Sequence, residues 1–180
     1  TNAYNSTTSQ VAGLTVLAVT PLITSPLAAS GKQGVPFNYT ITGLHDPTSF
    51  GASLLPFGLA VDSTTGKIQG TPVDSGTFNV TLGTTNLCAS ARTNFTLTIT
   101  SSVPVITSSR SVTGAEQVAF SYQITATESP SSFGAQGLPQ GLIVDPLTGL
   151  VSGRPLYAGN FDAAISASNF WGSGATNLHF

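Results

Sequence analysis

Two aspartates stand out among the few residues that could do chemistry, because each lies in a segment rich in glycine and hydroxyl side chains. Asp62 lies in GLAVDSTTGKIQGTP, from Gly58 to Pro72. Asp145 lies in GLIVDPLTGLVSGRP, from Gly141 to Pro155. A carboxylate in such a setting could bind a cation, border a phosphate-binding loop or hold a turn through bonds to nearby backbone amides.

The other titratable and nucleophilic residues are scattered along the chain. The sequence has seven acidic residues, two histidines (His45 and His179) and one cysteine, Cys88. No second histidine or cysteine stands at metal-ligand spacing from these residues, and no serine lies in a GxSxG motif. A glycosidase-type pair of carboxylates is not indicated either. We therefore expect no enzymatic activity, no cofactor and no metal site.

Charge is scarce: charged residues make up 7% of the chain, and the formal net charge is -2. Five lysines and arginines are too few to follow a nucleic acid backbone, so nucleic acid is not expected as a partner. The segment from Val11 to Ala29 has no charge, but Pro21, Pro26 and several hydroxyl residues interrupt it. Because a spanning helix needs about 20 mostly apolar residues, we expect no membrane span.

The chain repeats itself at an offset of 83 residues from Pro21 onward. VPFNYTIT becomes VAFSYQIT, PTSFGASLLPFGLAVD becomes PSSFGAQGLPQGLIVD, and TGKIQGTP becomes TGLVSGRP. Such self-similarity indicates one structural unit that occurs twice. We expect a leading strand segment in residues 1–20, a first sandwich in 21–103 and a second sandwich in 104–180.

The shared residues predict strands and turns. Apolar residues alternate with polar ones in Phe37–Ile41 and Phe120–Ile124, as in strands with one buried face. Glycine and proline punctuate both copies, and no helical period is sustained. The pattern predicts an all-β fold of two tandem immunoglobulin-like β-sandwiches with about seven strands each. The strands expected are an edge strand at Ile23, then 35–42, 59–61, 67–69, 78–85, 92–100, 118–125, 142–144, 150–152, 161–168 and 175–180.

The two aspartates are interpreted as structural turn residues. Asp62 ends one short strand and Gly66 opens the next, and Asp145 and Gly149 repeat this arrangement. Aspartate accepts hydrogen bonds from amides two or three residues on, and glycine tolerates positive φ. A calcium loop needs about six to eight oxygen ligands, mostly from several carboxylates, whereas each of these segments has one.

The motif GLxVDxxTGxIxGxP, followed by GTF and TN, resembles the bacterial immunoglobulin-like tandem repeats, relatives of the cadherin-like repeats of dystroglycan type. The resemblance covers both copies. It implies seven-stranded sandwiches strung in tandem in large extracellular or surface-attached proteins, without catalytic residues. The cadherin relatives bind calcium between domains through acidic motifs, and the junction from Ser101 to Pro104 lacks these motifs.

The first 20 residues resemble the end of the first copy: TNAYNSTTSQVAGLTVLAVTP parallels TNLCASARTNFTLTITSSVP with one extra residue. Leu14, Val16, Leu17 and Val19 make this strand apolar on both faces, and such a strand left free favours aggregation. The final strand of the second copy is expected to be cut short. Either the chain is a slice of a longer tandem array, or the leading strand of one subunit completes the second sandwich of its neighbour.

Two further features concern the surface. Four N-x-S/T sequons mark candidate glycosylation sites at Asn5, Asn38, Asn79 and Asn94, although threonine-rich strands also produce sequons by chance. The last three alternate with inward residues and should face solvent. Trp171 matches Cys88 in the turn before the last strand, where it could pack, dock a neighbour or stack on a sugar as a contact aromatic.

We therefore expect an extracellular or cell-surface structural protein that builds a filament or stalk, with copies of itself or neighbouring immunoglobulin-like repeats as partners. The alternative is an adhesion or carbohydrate-binding module of a larger surface protein, with surface carbohydrate as the partner. This alternative predicts exposed aromatic side chains on one face or loop cluster. The filament hypothesis predicts that the leading strand lies outside its own chain's sandwiches.

Overall fold

The computed structural model describes residues 19–180, and this part of the chain consists of strands, turns and loops without a helix. Six of the fifteen strands belong to the second sandwich and nine to the first. The strands of the first sandwich are β1 (Leu22–Ile23), β2 (Ala28–Lys32), β3 (Phe37–Thr40), β4 (Gly43–Leu44), β5 (Ser49–Ser53), β6 (Leu59–Val61), β7 (Lys67–Gly70), β8 (Gly76–Thr85) and β9 (Ser90–Thr100). Those of the second are β10 (Phe120–Gln123), β11 (Ser132–Gln136), β12 (Leu142–Val144), β13 (Leu150–Gly153), β14 (Asp162–Asn169) and β15 (Gly172–His179).

The first sandwich packs a three-stranded sheet, β3-β7-β6, against a four-stranded sheet, β2-β9-β8-β5, while β1 pairs with β4. Ile68 from the smaller sheet and Val80 and Leu82 from the larger one are fully buried. The rings of Tyr39 and Phe95 lie 4.6 Å apart and join the two sheets. Burying one such side chain stabilises the fold by about 1.5–3 kcal/mol.

The second sandwich repeats this design with the sheets β10-β13-β12 and β11-β14-β15. Its core contains Ile124, which directly follows β10, and Val151 of β13, together with Ile165 and Leu178 from the other sheet. Several core side chains are smaller than their counterparts in the first sandwich, since Leu178 stands where the first copy has Phe95. The apolar core of the second sandwich is therefore the smaller of the two.

The predicted all-β fold of two tandem sandwiches is confirmed, and the short strands 59–61 and 142–144 lie where they were expected. The expected strands 35–42 and 118–125 are shorter, since β3 and β10 have four residues each. The two-residue strand β4 was missed, and so were the longer strands β2, β5 and β11. Their sequences, AASGK, SFGAS and SFGAQ, do not alternate between apolar and polar residues. They are strands because their backbones pair with neighbours, as β5 does with β8 and β11 with β14.

Candidate functional site

The aspartate of the repeated hairpin bonds to its own turn in both sandwiches. Asp62 Oδ1 accepts hydrogen bonds from the backbone amides of Thr64 (2.8 Å) and Thr65 (3.0 Å). Asp145 Oδ1 accepts the two equivalent bonds at 2.8 and 3.1 Å. Both carboxylates are exposed, and within residues 19–180 no three His, Cys, Asp or Glu side chains are grouped closely enough to hold a metal ion. Each of the two carboxylates therefore stabilises its own turn.

These hydrogen bonds also lower the pKa of both aspartates. Backbone amides, first that of Thr65 and then that of Thr64, hold the pKa of Asp62 below its usual value. The amides of Leu147 and Thr148 lower the pKa of Asp145 in the same way. A carboxylate that prefers its ionised form is a poor proton donor near neutral pH, so neither aspartate is suited to general acid catalysis.

Glycine is required where each of these turns closes. Gly66 has φ +71°, and a Cβ there would lie 2.7 Å from the carbonyl oxygen of Ile41. Gly149 has φ +74° and an equally crowded environment, with a Cβ lying 2.9 Å from the Phe133 ring. Any other residue would combine a left-handed backbone with a steric clash, so the glycine is a requirement of the fold in both copies.

The side chain of Asn86 makes four hydrogen bonds at the end of the first sandwich where Val19 and Thr20 lie. Its Nδ2 donates to the carbonyl oxygens of Val19 and His45, both at 2.8 Å. Its Oδ1 accepts from the backbone amides of Cys88 and Ala89, both at 2.9 Å. We call this arrangement the amide clamp. It ties the incoming segment and the loop after β4 to the turn between β8 and β9.

The second sandwich has a matching amide clamp around Asn169, with three of the four bonds. Its Nδ2 donates to the carbonyl oxygens of Ser102 (2.7 Å) and Glu128 (2.9 Å). Its Oδ1 accepts from the backbone amide of Trp171 at 2.8 Å. The sequence showed that an asparagine recurs here but gave no indication of its role, because its partners are backbone atoms far away in the chain.

Each amide clamp holds a strained loop. His45 and Asp46 have φ of +66° and +52°, and Glu128 and Ser129 have φ of +60° and +48°. Two successive left-handed residues other than glycine are costly, about 1–2 kcal/mol per residue. The clamp bonds the carbonyl of the first residue in each pair. In the first sandwich, His45 Nδ1 also donates to the carbonyl oxygen of Thr20 at 2.8 Å.

A tyrosine fixes a segment near the start of each repeat. The Tyr39 hydroxyl donates to the carbonyl oxygen of Pro26 at 2.6 Å and lies 2.8 Å from the Ser25 hydroxyl. The Tyr122 hydroxyl lies 2.9 Å from the Ser108 hydroxyl in the same geometry. Both tyrosines also contribute part of their rings to the cores, so each anchors an edge of its sandwich to the interior.

Most of the predicted assembly strand lies outside the described residues: this applies to Leu14, Val16 and Leu17, and likewise to the sequon residue Asn5. Val19 is described; its side chain is 47% exposed, and its carbonyl oxygen belongs to the amide clamp.

The other three sequon asparagines lie on outer faces of the first sandwich. Asn38 is on β3, Asn79 on β8 and Asn94 on β9, and all three side chains are exposed. Glycosylation at these positions stays a prediction.

The turn before the last strand carries exposed apolar side chains in both sandwiches. Leu87 is 96% exposed and precedes the exposed Cys88. In the second sandwich Phe170 is 89% exposed, and the half-buried Trp171 lies edge-on to it with ring centroids 5.0 Å apart. The sequence singled out Trp171, whereas Phe170 beside it is the more exposed ring.

One pairing of titratable groups was not predicted. His179 Nδ1 and Asp162 Oδ1 form a hydrogen bond between partners in the register of β14 and β15. Both side chains are largely exposed, so the pair contributes little to stability. The sequence gave no sign of it, because the two residues meet only through strand pairing.

The second sandwich has an apolar cavity of about 300 Å³ at the end away from its amide clamp. Three phenylalanines line it, together with Pro155, Tyr157 and two chain segments, 113–116 and 158–160. The phenylalanines are Phe120, Phe161 and Phe180. Glu116 is the one acidic side chain among the residues that line the cavity. Because most of the lining is apolar, the cavity is suited to bind an apolar group.

Comparison with protein families gives two matches. The family described as Putative Ig domain matches residues 20–100 and again residues 103–179. A search of curated proteins gives no match. No helix within residues 19–180 is long and apolar enough to cross a membrane.

The chain is also similar to several solved structures. Two alpha-galactosidase proteins of Bacteroides fragilis, both described as putative, are 31% and 30% identical with a TM-score of 0.43; the matches cover 44% of this chain and 17% of each of theirs. Human protocadherin-24 EC1-2 is 12% identical with a TM-score of 0.47, covering 91% of this chain and 97% of that one. The titin domains z1z2 in complex with telethonin are 17% identical with a TM-score of 0.44, covering 88% and 93%.

Proposed function

The chain belongs to the Putative Ig domain family, and from this premise we propose that it is a structural subunit or segment of an extracellular surface filament or stalk. Domains of this immunoglobulin-like kind are generally non-enzymatic and typical of extracellular and adhesion-type proteins. The observation that carries the proposal is that both sandwiches use the same bonds, around Asn86 and around Asn169, to fasten the segment that enters them.

The pairing of β2 with β9 suits a protein under tension. Thr96 N donates to the carbonyl oxygen of Leu27, and Gln33 N donates to that of Thr100, so the two strands run in the same direction. Tension along such a pair loads its hydrogen bonds in shear, and all of them must break together. The bridge between Ser111 and His179 in the second sandwich is also parallel. This geometry supports a mechanical role for the tandem sandwiches.

We further propose that neighbouring subunits connect by strand donation. The residues Leu14-Thr15-Val16 match Leu97-Thr98-Ile99 at the same offset of 83 residues that relates the two sandwiches. In the first sandwich Leu97 is 0% exposed and Ile99 is 2% exposed, so this pattern belongs to a strand that fills a core. Strand addition would pair the backbone of residues 14–19 with that of a neighbouring copy and bury their apolar side chains there.

Size-exclusion chromatography with light scattering tests strand donation. The wild-type chain is expected to form oligomers whose mass rises with concentration. Val16→Asp is expected to stay monomeric, because a charge at this position cannot enter a core without a large desolvation cost. Thr8→Asp adds the same charge to the same segment outside the matched strand and should behave as wild type. A monomeric wild-type chain at all concentrations contradicts strand donation, although the chain could still be part of a longer array.

The exposed ring of Phe170 favours a second candidate function, that of a carbohydrate-binding module. An exposed aromatic face beside Trp171 can stack on a sugar ring. Affinity electrophoresis in gels that contain surface polysaccharides tests this function. Retardation that Phe170→Ser abolishes and Leu87→Ser preserves would support sugar binding, and unchanged migration of the wild-type chain in every polysaccharide would contradict it.

A further inference from the structure

We propose that the first sandwich cuts its own backbone between Asp46 and Pro47, in a single-turnover reaction whose nucleophile is the Asp46 carboxylate. The chain has two Asp–Pro bonds, this one and the bond from Asp145 to Pro146. In such a bond the carboxylate can attack the carbonyl carbon of its own residue. Because the proline nitrogen has no hydrogen, the competing closure of a backbone nitrogen onto the side chain does not occur.

The backbone at Asp46 is strained. A residue before proline usually has an extended backbone with φ of about −120°. Asp46 instead has φ +52°, and His45 before it has φ +66°. Neither side chain suits the left-handed region, and strain of this kind persists only where the surrounding structure enforces it. Breaking the bond to Pro47 would release the strain, which therefore favours the cleaved chain.

Hydrogen bonds on both sides of the Asp–Pro bond keep the loop in this conformation. On the N-terminal side, Asn86 Nδ2 donates to the carbonyl oxygen of His45, and His45 Nδ1 donates to that of Thr20, both at 2.8 Å. On the C-terminal side, Thr48 N donates to the carbonyl oxygen of Thr85, also at 2.8 Å. The loop is therefore held at both ends while the peptide bond between them is intact.

The carboxylates of the two Asp–Pro bonds differ in their hydrogen bonding. Asp145 Oδ1 accepts bonds from the amides two and three residues on, those of Leu147 and Thr148, and these bonds hold it on its turn. The amide two residues after Asp46 is that of Thr48, and it donates to a backbone carbonyl oxygen instead. Asp46 is also exposed, so water reaches it. The Asp46 carboxylate is thus the one placed to attack.

The reaction needs water as its only co-reactant. A carboxylate oxygen of Asp46 attacks the backbone carbonyl carbon of the same residue, so a C–O bond forms, the C–N bond to Pro47 breaks and its electron pair stays on nitrogen. That nitrogen takes a proton from solvent and leaves as a secondary amine, so weak acid should speed the step. Water then opens the cyclic anhydride to two carboxyl groups, and nothing is oxidised or reduced. The other titratable side chains that line the cavity at this loop are His45 and Cys88, so no lysine or arginine within residues 19–180 borders the attacking group there.

Cleavage would leave the first sandwich assembled. Residues 1–46 keep β3, which pairs with β7, and β2, which lies beside β9 in the larger sheet. After the cut, strand pairing alone would join these residues to the rest of the chain. Tension could then separate the two fragments without breaking a covalent bond. The Asp–Pro bond would therefore act as a point of release, an activity separate from the assembly of copies.

The second sandwich repeats the strained loop without the nucleophile. Glu128 and Ser129 have φ of +60° and +48°, and Pro130 follows them. Asn169 Nδ2 donates to the carbonyl oxygen of Glu128 at 2.9 Å, as in the first sandwich. A serine at the position of Asp46 has no carboxylate and cannot form the anhydride. The chain thus contains its own control for the effect of strain alone.

Mass spectrometry of the full chain tests self-cleavage, in weakly acidic buffer in which circular dichroism shows that the chain stays folded. We expect fragments 1–46 and 47–180 to accumulate at least about tenfold faster than fragments 1–145 and 146–180. In urea at the same pH, the two Asp–Pro bonds should be cut at similar rates. Asp46→Ser should abolish the first cut alone, and Ser129→Asp should add a cut before Pro130.

Equal rates at the two Asp–Pro bonds of the folded chain would overturn the assignment, and so would a first cut no faster in the folded chain than in urea. Asn86→Ala frees the His45 carbonyl and should slow the first cut, provided that thermal unfolding shows a folded variant. If it does not, Ser129→Asp decides, since its side chain is at an exposed position. No new cut in that variant would contradict the role of the strained loop. Cleavage is scored in monomers and oligomers alike, so the result does not depend on strand donation.

Discussion

Asn86 and Asn169 make the same pair of donor bonds in the two sandwiches. Each donates to a carbonyl oxygen of the incoming segment, Val19 or Ser102, and to a carbonyl oxygen of a left-handed loop residue, His45 or Glu128. The bonds join three segments that are distant in sequence. All of these side-chain hydrogen bonds go to backbone atoms, so we interpret both asparagines as residues that fasten the fold at the point where tension would enter.

Removing the amide clamp should weaken the sandwich that contains it. Asn86→Ala deletes four hydrogen bonds, and we expect the free energy of unfolding to fall by about 1–3 kcal/mol, because the partner carbonyls lose their donors. Urea denaturation measures this value. Asn79→Ala removes an exposed asparagine of β8 and should change it by less than about 0.5 kcal/mol. Equal values for the two variants would show that the clamp contributes nothing.

Leu54 and Gly137 occupy matching positions of the two sandwiches. Both positions have a left-handed backbone, which suits glycine and strains leucine. Leu54 has φ +63° and is 74% exposed, whereas Gly137 has φ +76°. Leu54→Gly should raise the free energy of unfolding of the first sandwich by up to about 1 kcal/mol, since it removes left-handed strain and little buried surface. Gly137→Leu should lower that of the second by at least about 1 kcal/mol, since its Cβ would lie 3.0 Å from the Asp162 carbonyl oxygen. Changes of the same sign would contradict this account.

The turn aspartates should make stability depend on acid pH. The pKa of Asp62 is lowered in the folded chain by the amides of Thr65 and Thr64, so its contribution is present above the unfolded pKa of about 3.9 and is lost as pH falls through the folded value. Asp62→Asn keeps the oxygen acceptor but not the charge. Urea denaturation between about pH 2 and pH 7 should therefore show a flatter pH profile for this variant. An unchanged profile would mean that the turn bonds do not depend on ionisation.

The tyrosine hydroxyls should stabilise the two sandwiches to a similar extent. Tyr39→Phe leaves the ring in place but removes the bonds to Ser25 and the Pro26 carbonyl, and we expect a loss of about 0.5–1.5 kcal/mol. Tyr122→Phe should behave alike in the second sandwich, whereas Tyr157→Phe, at a 62% exposed position, should have little effect. Thermal unfolding of the three variants checks the ranking, and an effect confined to Tyr157 would refute it.

The fold class could be predicted from the sequence because two independent signals agree. The alternation of apolar and polar residues in Phe37–Ile41 predicts a strand. The same pattern recurs at Phe120–Ile124, which indicates that it does not arise by chance. The hairpin around Asp62 was also predictable, because its bonds are local in sequence.

Long-range features were not predictable. The strand at Ser49–Ser53 has Gly51 at its centre and no apolar alternation, and it is fixed by pairing with β8. The role of Asn86 depends on carbonyl oxygens that the fold brings to it, and no pattern in the sequence points to them.

Negative-stain electron microscopy of the wild-type chain beside Val16→Asp tests the central claim most directly. Strand donation between different surfaces of neighbouring copies predicts open filaments that lengthen with protein concentration for wild type, and single particles for the variant. Single particles for both chains, or filaments that persist in Val16→Asp, would contradict assembly through the leading strand.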